Sequence, residues 1–120
     1  MSNMKMGTVE SSFADMIWDN EPVSTAELVK LGAEKLNWKR TTTYTVLKRL
    51  CERGIFQMED SKVTSLISRE DYYSTQSERF VNDTFNGSLP AFIAAFARKK
   101  KLTEQEISEI RKMIVEYDGE

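Results

Sequence analysis

Lys39-Arg40-Thr41-Thr42-Thr43-Tyr44-Thr45-Val46-Leu47-Lys48-Arg49-Leu50-Cys51-Glu52-Arg53-Gly54-Ile55-Phe56-Gln57-Met58 is the stretch on which the fold turns. Up to Glu52 its apolar positions keep a helical period: Val46, Leu47 and Leu50 form one stripe, with the methyl of Thr43 a turn earlier. Gly54 is the residue expected just past a helix C-terminus, where a left-handed backbone is needed. Beyond it the period changes. Ile55-Phe56-Gln57-Met58 and Val63-Thr64-Ser65-Leu66-Ile67 are short and rich in β-branched or aromatic residues. The polar Glu59-Asp60-Ser61-Lys62 between them predicts a small hairpin whose turn carries no glycine.

Toward the N-terminus, Ser24-Thr25-Ala26-Glu27 is a capping box. It opens a helix carrying Leu28, Leu31 and Leu36 that ends near Asn37, and Trp38 marks the junction to the next helix. Earlier still, Val9, Phe13, Met16 and Ile17 share one face of a helix from about Val9 to Asn20. Glu21-Pro22 stops it, because the residue before proline is disfavoured in the α region. Three helices followed by a hairpin describe a winged helix.

Toward the C-terminus every segment reads as helix. Ser68 with Asp71 caps one running through Tyr73, Phe80, Val81 and Phe85 to Asn86-Gly87. Ser88 starts another, with Leu89, Phe92, Ile93 and Phe96 at i, i+3, i+4 and i+7. Thr103-Glu104-Gln105-Glu106 caps a third, on which Ile107, Ile110, Ile114 and Tyr117 form a stripe. The expectation is a mainly α chain with a small β-hairpin: a winged helix-turn-helix over residues 1–68 and a helical region over 69–120. Phe80, Val81, Phe85, Leu89, Phe92, Ile93, Phe96, Ile107, Ile110 and Ile114 give that region more apolar face than three short helices can cover. Pairing with a second copy would bury it.

Composition narrows the chemistry. A chain of 120 residues, 40% hydrophobic and 30% charged, is sized and composed for one globular domain, or one domain plus a small appendage. It has no apolar run near the roughly 18 residues that span a bilayer, and its first residues lack the apolar stretch of a signal peptide. A cytoplasmic protein with no membrane insertion is expected. There is no histidine, which excludes Ser-His-Asp and Cys-His catalysis, histidine zinc sites and a histidine pH switch. The single cysteine, Cys51, forms no internal disulfide or thiolate cluster, and the five glycines are too scattered for a phosphate loop. No enzyme, cofactor or metal site is expected.

The helix from Thr41 to Glu52 turns Thr41, Tyr44, Thr45 and Lys48 away from its core stripe, with Arg49 at the edge. These side chains suit phosphate oxygens and base edges. From Lys39 to Arg53 five basic residues face one acid, inside a chain of net charge −2. On spacing alone, a DNA-reading helix and an ordinary solvated amphipathic helix remain equally open.

The residues then become recognisable. Trp18, Ser24-Thr25-Ala26-Glu27-Leu28, Asn37-Trp38, the run Thr42 to Leu50 and Gly54 resemble the penicillinase-repressor family, bacterial winged-helix repressors with methicillin-resistance and copper-responsive members. Phe85-Asn86-Gly87-Ser88-Leu89, Leu102-Thr103-Glu104-Gln105-Glu106-Ile107 and Ile110 extend the resemblance to about Ile114. It implies a dimeric transcriptional repressor whose helix Arg40–Arg53 enters the major groove of a pseudo-palindromic operator. Arg40, Thr41, Thr42, Tyr44, Thr45, Lys48 and Arg49 would carry the contacts, with Lys62 on the flanking hairpin. The alternative is a winged-helix adaptor that binds proteins without reading DNA.

The resemblance also implies partners and limits. In antibiotic-responsive relatives a membrane sensor protease is part of the circuit, and an Asn-Phe bond in the helix matching Leu89–Arg98 is cut. The matching pair here is Ala95-Phe96, and a strongly periodic, buried helix is expected to keep that bond intact. Lys39, a poor N-cap, stands where the family often has Ser, so the helix start is expected to fray or to move to Thr41. The hairpin lacks the family's Tyr-x-Tyr pattern and carries Val63-Thr64-Ser65-Leu66. The thiolate cluster of the copper-responsive branch is absent.

Other conspicuous residues take ordinary roles. Trp18 and Trp38 are expected in the core and junction rather than stacked on bases. Cys51 is expected as a small packed side chain. Arg98-Lys99-Lys100-Lys101 is expected at a helix C-terminus, where cations complement the dipole.

Overall fold

The computed structural model describes residues 6–117. Their order is α1 (Thr8–Asn20), β1 (Val23–Ser24), α2 (Thr25–Leu36), α3 (Arg40–Glu52), β2 (Phe56–Glu59), β3 (Lys62–Ser65), α4 (Arg69–Phe85), α5 (Leu89–Lys99) and α6 (Glu104–Glu116). This is the winged helix-turn-helix plus helical region that the order of signals implied. The chain divides into two compact units, Met1–Gln76 and Ser77–Glu120.

In the first unit the core is built from α1, α2, α3 and the sheet. Phe13, Ile17, Leu28, Leu50, Ile55, Phe56 and Val63 are fully buried. Val9, expected on the inner face of α1, is 53% exposed, because it lies one turn before Phe13, where the core begins. Trp18 is buried as expected. Its indole N–H donates to the Ile67 carbonyl at 3.1 Å and its ring packs against Phe56 and Tyr72 at centroid distances of 5.2 and 5.7 Å. Trp38 packs on Phe13 at 5.1 Å. Tyr72, absent from the sequence reading, is the inward residue of the first turns of α4, whereas Tyr73 is exposed.

The sheet has one strand more than expected. β1 pairs antiparallel with β3, Val23 opposite Val63 and Ser24 opposite Lys62, and β3 is the central strand of three. A two-residue strand has no period to read, so the sequence could not show it. The hairpin register puts Phe56 opposite Ser65 and Glu59 opposite Lys62. Its turn residues Asp60 and Ser61 both have positive φ, 52° and 62°, the conformation of a type I′ turn without its usual glycine. β3 stops at Ser65, so Leu66 is outside the strand and exposed.

Helix ends follow local chemistry. Ser24 Oγ accepts from the Glu27 N–H at 3.0 Å and Asn37 closes α2 with φ 57°. α3 begins at Arg40, not Thr41; Lys39 stands at its N-cap and makes no side-chain cap bond. At its other end the Gly54 N–H donates to the Cys51 carbonyl and the Ile55 N–H to the Leu50 carbonyl, at 3.0 and 3.1 Å, a Schellman motif with Gly54 at φ 82°. Where α2 crosses α3, Gly32 is buried, and a Cβ there would stand 2.7 Å from Thr43 Oγ1.

The second unit contains helices without a closed core. Ser88 Oγ accepts from the Ala91 N–H, and Thr103 and Glu106 form a complete capping box. Phe80, Phe85, Phe92 and Phe96 form a chain of ring contacts, with Phe85 and Phe92 closest at 5.6 Å. Yet no residue of α5 or α6 is buried. The expectation of a buried helix around Phe96 is therefore corrected: α5 is helical, but Ala95 and Phe96 are exposed. Among the described residues of this unit no further layer covers them.

Candidate nucleic-acid interface

The inner face of α3 is fixed by Thr43, Val46, Leu47 and Leu50, all buried. Helical geometry then sends the other side chains outward as a set. Arg40, Thr41, Thr45 and Lys48 are exposed and Tyr44 half-buried along this face, with Thr42 half-buried at its flank. The Arg40 guanidinium sits over the Tyr44 ring at 5.5 Å, which leaves its N–H groups and the phenol at the start of the helix. Thr45 Oγ1 donates to the Thr41 carbonyl at 2.8 Å, so this hydroxyl presents its lone pairs outward.

The remaining expected contacts lie elsewhere. Arg49 is exposed but donates to Glu10 at 3.1 Å, and Arg53 reaches the other oxygen of the same carboxylate at 3.3 Å. Lys62 is exposed in β3, across the ladder from Glu59. Hence the structure gathers Arg40, Thr41, Tyr44, Thr45 and Lys48 on one helix face, sets Thr42 beside them, ties Arg49 back to α1, and leaves Lys62 on the sheet.

Two carboxylates whose side-chain contacts the sequence reading did not foresee shape this region. Glu10 accepts from the Gly7 N–H at 3.1 Å as well as from the two arginines. Burial pushes its pKa up, but the Gly7 N–H, Arg49 and Arg53 outweigh that and hold it below the ordinary value. Glu21 accepts from the Ser65 N–H at 2.8 Å and from Ser65 Oγ at 2.9 Å, which pins the base of the hairpin to the end of α1. Glu10 supplies only half of a capping box, its carboxylate on the Gly7 N–H, and the glycine at the N-cap, with no side chain to complete the box, hid it. The Glu21 contact joins residues far apart in sequence and has no local signal.

Cys51 is half-buried against the core, where burial and then the Glu52 charge push its thiol pKa up, in keeping with a packing role. Among the described residues no cluster of acidic or thiol side chains could hold a metal ion. No helix among them is long and apolar enough to cross a membrane. In the second unit, Phe92, Ile93, Phe96, Leu102, Ile110 and Met113 line an open groove of about 330 Å³ between α5 and α6.

Residues 6–116 match the sequence profile of the penicillinase repressor family. The chain is 26% identical over 117 residues to a penicillinase repressor of Bacillus licheniformis, covering 94% of this chain and 91% of that one. It is 24% identical over 114 residues to the methicillin resistance regulatory protein MecI of Staphylococcus aureus, covering 92% and 93% of the two.

Proposed function

Since the chain belongs to the penicillinase repressor family, a family of transcriptional repressors, we propose that it binds a pseudo-palindromic operator as a homodimer in the cytoplasm. The observation that carries this reading is the outer face of α3, where Arg40, Thr41, Tyr44, Thr45 and Lys48 stand together over a buried stripe. A helix locked on one side and studded with donors on the other suits the major groove. Arg40 and Lys48 supply charge to phosphate or guanine. Thr41 and Tyr44 supply hydroxyls, Thr45 offers lone pairs to base amino groups, and Thr42 and Lys62 steady the fit. The reading function belongs to residues 1–68 and pairing to 69–120.

Pairing gives the exposed tail its purpose. Phe80, Leu89, Phe96, Ile107 and Ile114 are exposed in the single chain, and Val81, Phe85, Phe92, Ile93 and Ile110 are half-buried beside them. Full burial of one such side chain contributes about 1.5–3 kcal/mol, so several of them outweigh the cost of association. Pairing would also cover Phe96. Because the Ala95–Phe96 bond lies inside α5, a membrane sensor protease would first have to unwind that helix, and the bond stays intact in cells exposed to a β-lactam. A C-terminal fragment starting at Phe96, seen by mass spectrometry after such exposure, would contradict this.

The test is a gel-shift on a duplex from the promoter upstream of the chain's own gene, across a salt series. Log affinity should fall linearly with log salt as phosphate contacts release counterions. Lys48→Ala should weaken all duplexes and flatten that slope by about one unit, while Tyr44→Ala changes preference among them. Absence of duplex binding by the dimer would favour a protein-binding adaptor.

A further inference from the structure

Glu10, in the first turn of α1, faces the reading helix in a way that bears on affinity. Its carboxylate receives three donors: the Gly7 N–H at 3.1 Å, Arg49 Nη1 at 3.1 Å and Arg53 Nη1 at 3.3 Å. The carboxylate side chain is 17% exposed, whereas Arg49 is 48% exposed and Arg53 27%. Arg49 lies one residue after Lys48 and four after Thr45, beside the face assigned to DNA.

We propose that Glu10 is an internal competitor of the DNA backbone for Arg49: in the free chain Arg49 rests on Glu10, and on operator binding its guanidinium moves to a phosphate. The inference deepens the DNA-binding reading and rests on it. Three features make the exchange feasible. An arginine this exposed is held only weakly by its carboxylate, since water and salt screen the pair. Phosphate offers the planar fork of the guanidinium a pair of anionic oxygens for charge-assisted hydrogen bonds in return. Glu10 is not orphaned when Arg49 departs, because the Gly7 N–H and Arg53 still satisfy it, so no unpaired buried charge opposes the swap. Glu10 thereby caps operator affinity, which a repressor that must also release DNA can use.

The decisive variant is Glu10→Gln. A glutamine keeps the oxygen that accepts the Gly7 N–H, as Gln does at this position of a capping box, and removes only the charge. Fluorescence anisotropy on the promoter duplex, across a salt series, should show E10Q binding several-fold more tightly at low salt. The slope of log affinity against log salt should stay close to the parent's, because Arg49 reaches the same phosphate in both complexes, whereas Arg49→Ala alone should flatten it by about one unit. Adding Arg49→Ala to E10Q should abolish that gain.

If the unmodified chain binds and E10Q stays folded but binds no more tightly, Glu10 only braces α3, and this inference fails alone. If neither binds any duplex, the DNA-binding reading fails with it. A second measurement needs no variant: the guanidinium NMR signal of Arg49 in the unmodified chain should shift when the duplex is added. A signal that stays where it was in the free protein overturns the proposal.

Discussion

The two units of this chain are capped alike but packed differently. Ser24 in the first, and Ser88 and Thr103 in the second, each accept a backbone N–H as helix N-caps. Yet the first unit buries Phe13, Ile17, Leu28, Leu50 and Phe56 completely, while α5 and α6 bury nothing. Equal local signals therefore produce equal helices without producing equal cores. A core needs enough faces to enclose one another. Three helices and a small sheet meet that need, and the tail helices by themselves do not.

The contrast can be attacked at several points. Phe13→Ala should cost about 3–5 kcal/mol by denaturant unfolding, since it empties a fully buried site with no slack to collapse. A loss near 1 kcal/mol would mean the first unit is packed more loosely than its burial implies. Ending the chain after Gln76 retains Tyr72 and should leave a folded monomer by sedimentation. Such a monomer should bind operator roughly a hundredfold more weakly, about 2.7 kcal/mol, because the second half-site is no longer tethered. A truncated chain that still dimerises would place the pairing surface in the wrong unit.

Smaller changes sharpen the same contrast. Ile114→Ser should weaken dimerisation by about 1–2 kcal/mol while leaving the melting of the first unit unmoved, since its side chain is 68% exposed in the single chain. The smallest effect concerns acid. Glu10 has a folded pKa below its ordinary 4.5, so its ion pairs stabilise the first unit fully above that value and lose their contribution as pH falls through the lowered one. The stability gap between the parent and E10Q should therefore narrow below about pH 4.5 in urea titrations at stepped pH. A constant gap would show that the carboxylate charge is not what ties α1 to α3.

Sequence reading succeeded where a signal is local and repeated. Ser24, Gly54 and Thr103 announced their helix ends, and the stripe Val46, Leu47 and Leu50 fixed which side of α3 faces inward. It failed where partners come from afar. β1 exists only because β3 offers Val23 and Ser24 a ladder, and Arg49 is drawn from the outer face by Glu10, thirty-nine residues earlier in sequence. Tyr72 and Tyr73 are adjacent with the same chemistry and both lie against Trp18, at 5.7 and 6.1 Å, yet only Tyr72 is buried. The outward residues of α3 were legible because the inward ones were.

One position of the helix crossing has a genetic consequence. The site at Gly32 has no room for even a methyl group, because a Cβ would stand 2.7 Å from the buried oxygen of Thr43. One base change in a glycine codon reaches alanine, serine, cysteine, valine, aspartate, glutamate, arginine or tryptophan, and alanine is the least bulky of these. Overpacking of this kind costs about 1–3 kcal/mol and shifts the backbone, here at the crossing that aims α3. Every missense step away from this codon should therefore loosen repression. Selection for constitutive expression of the controlled genes should return to this codon repeatedly, and Gly32→Ala, the mildest step, is the natural source of a temperature-sensitive allele.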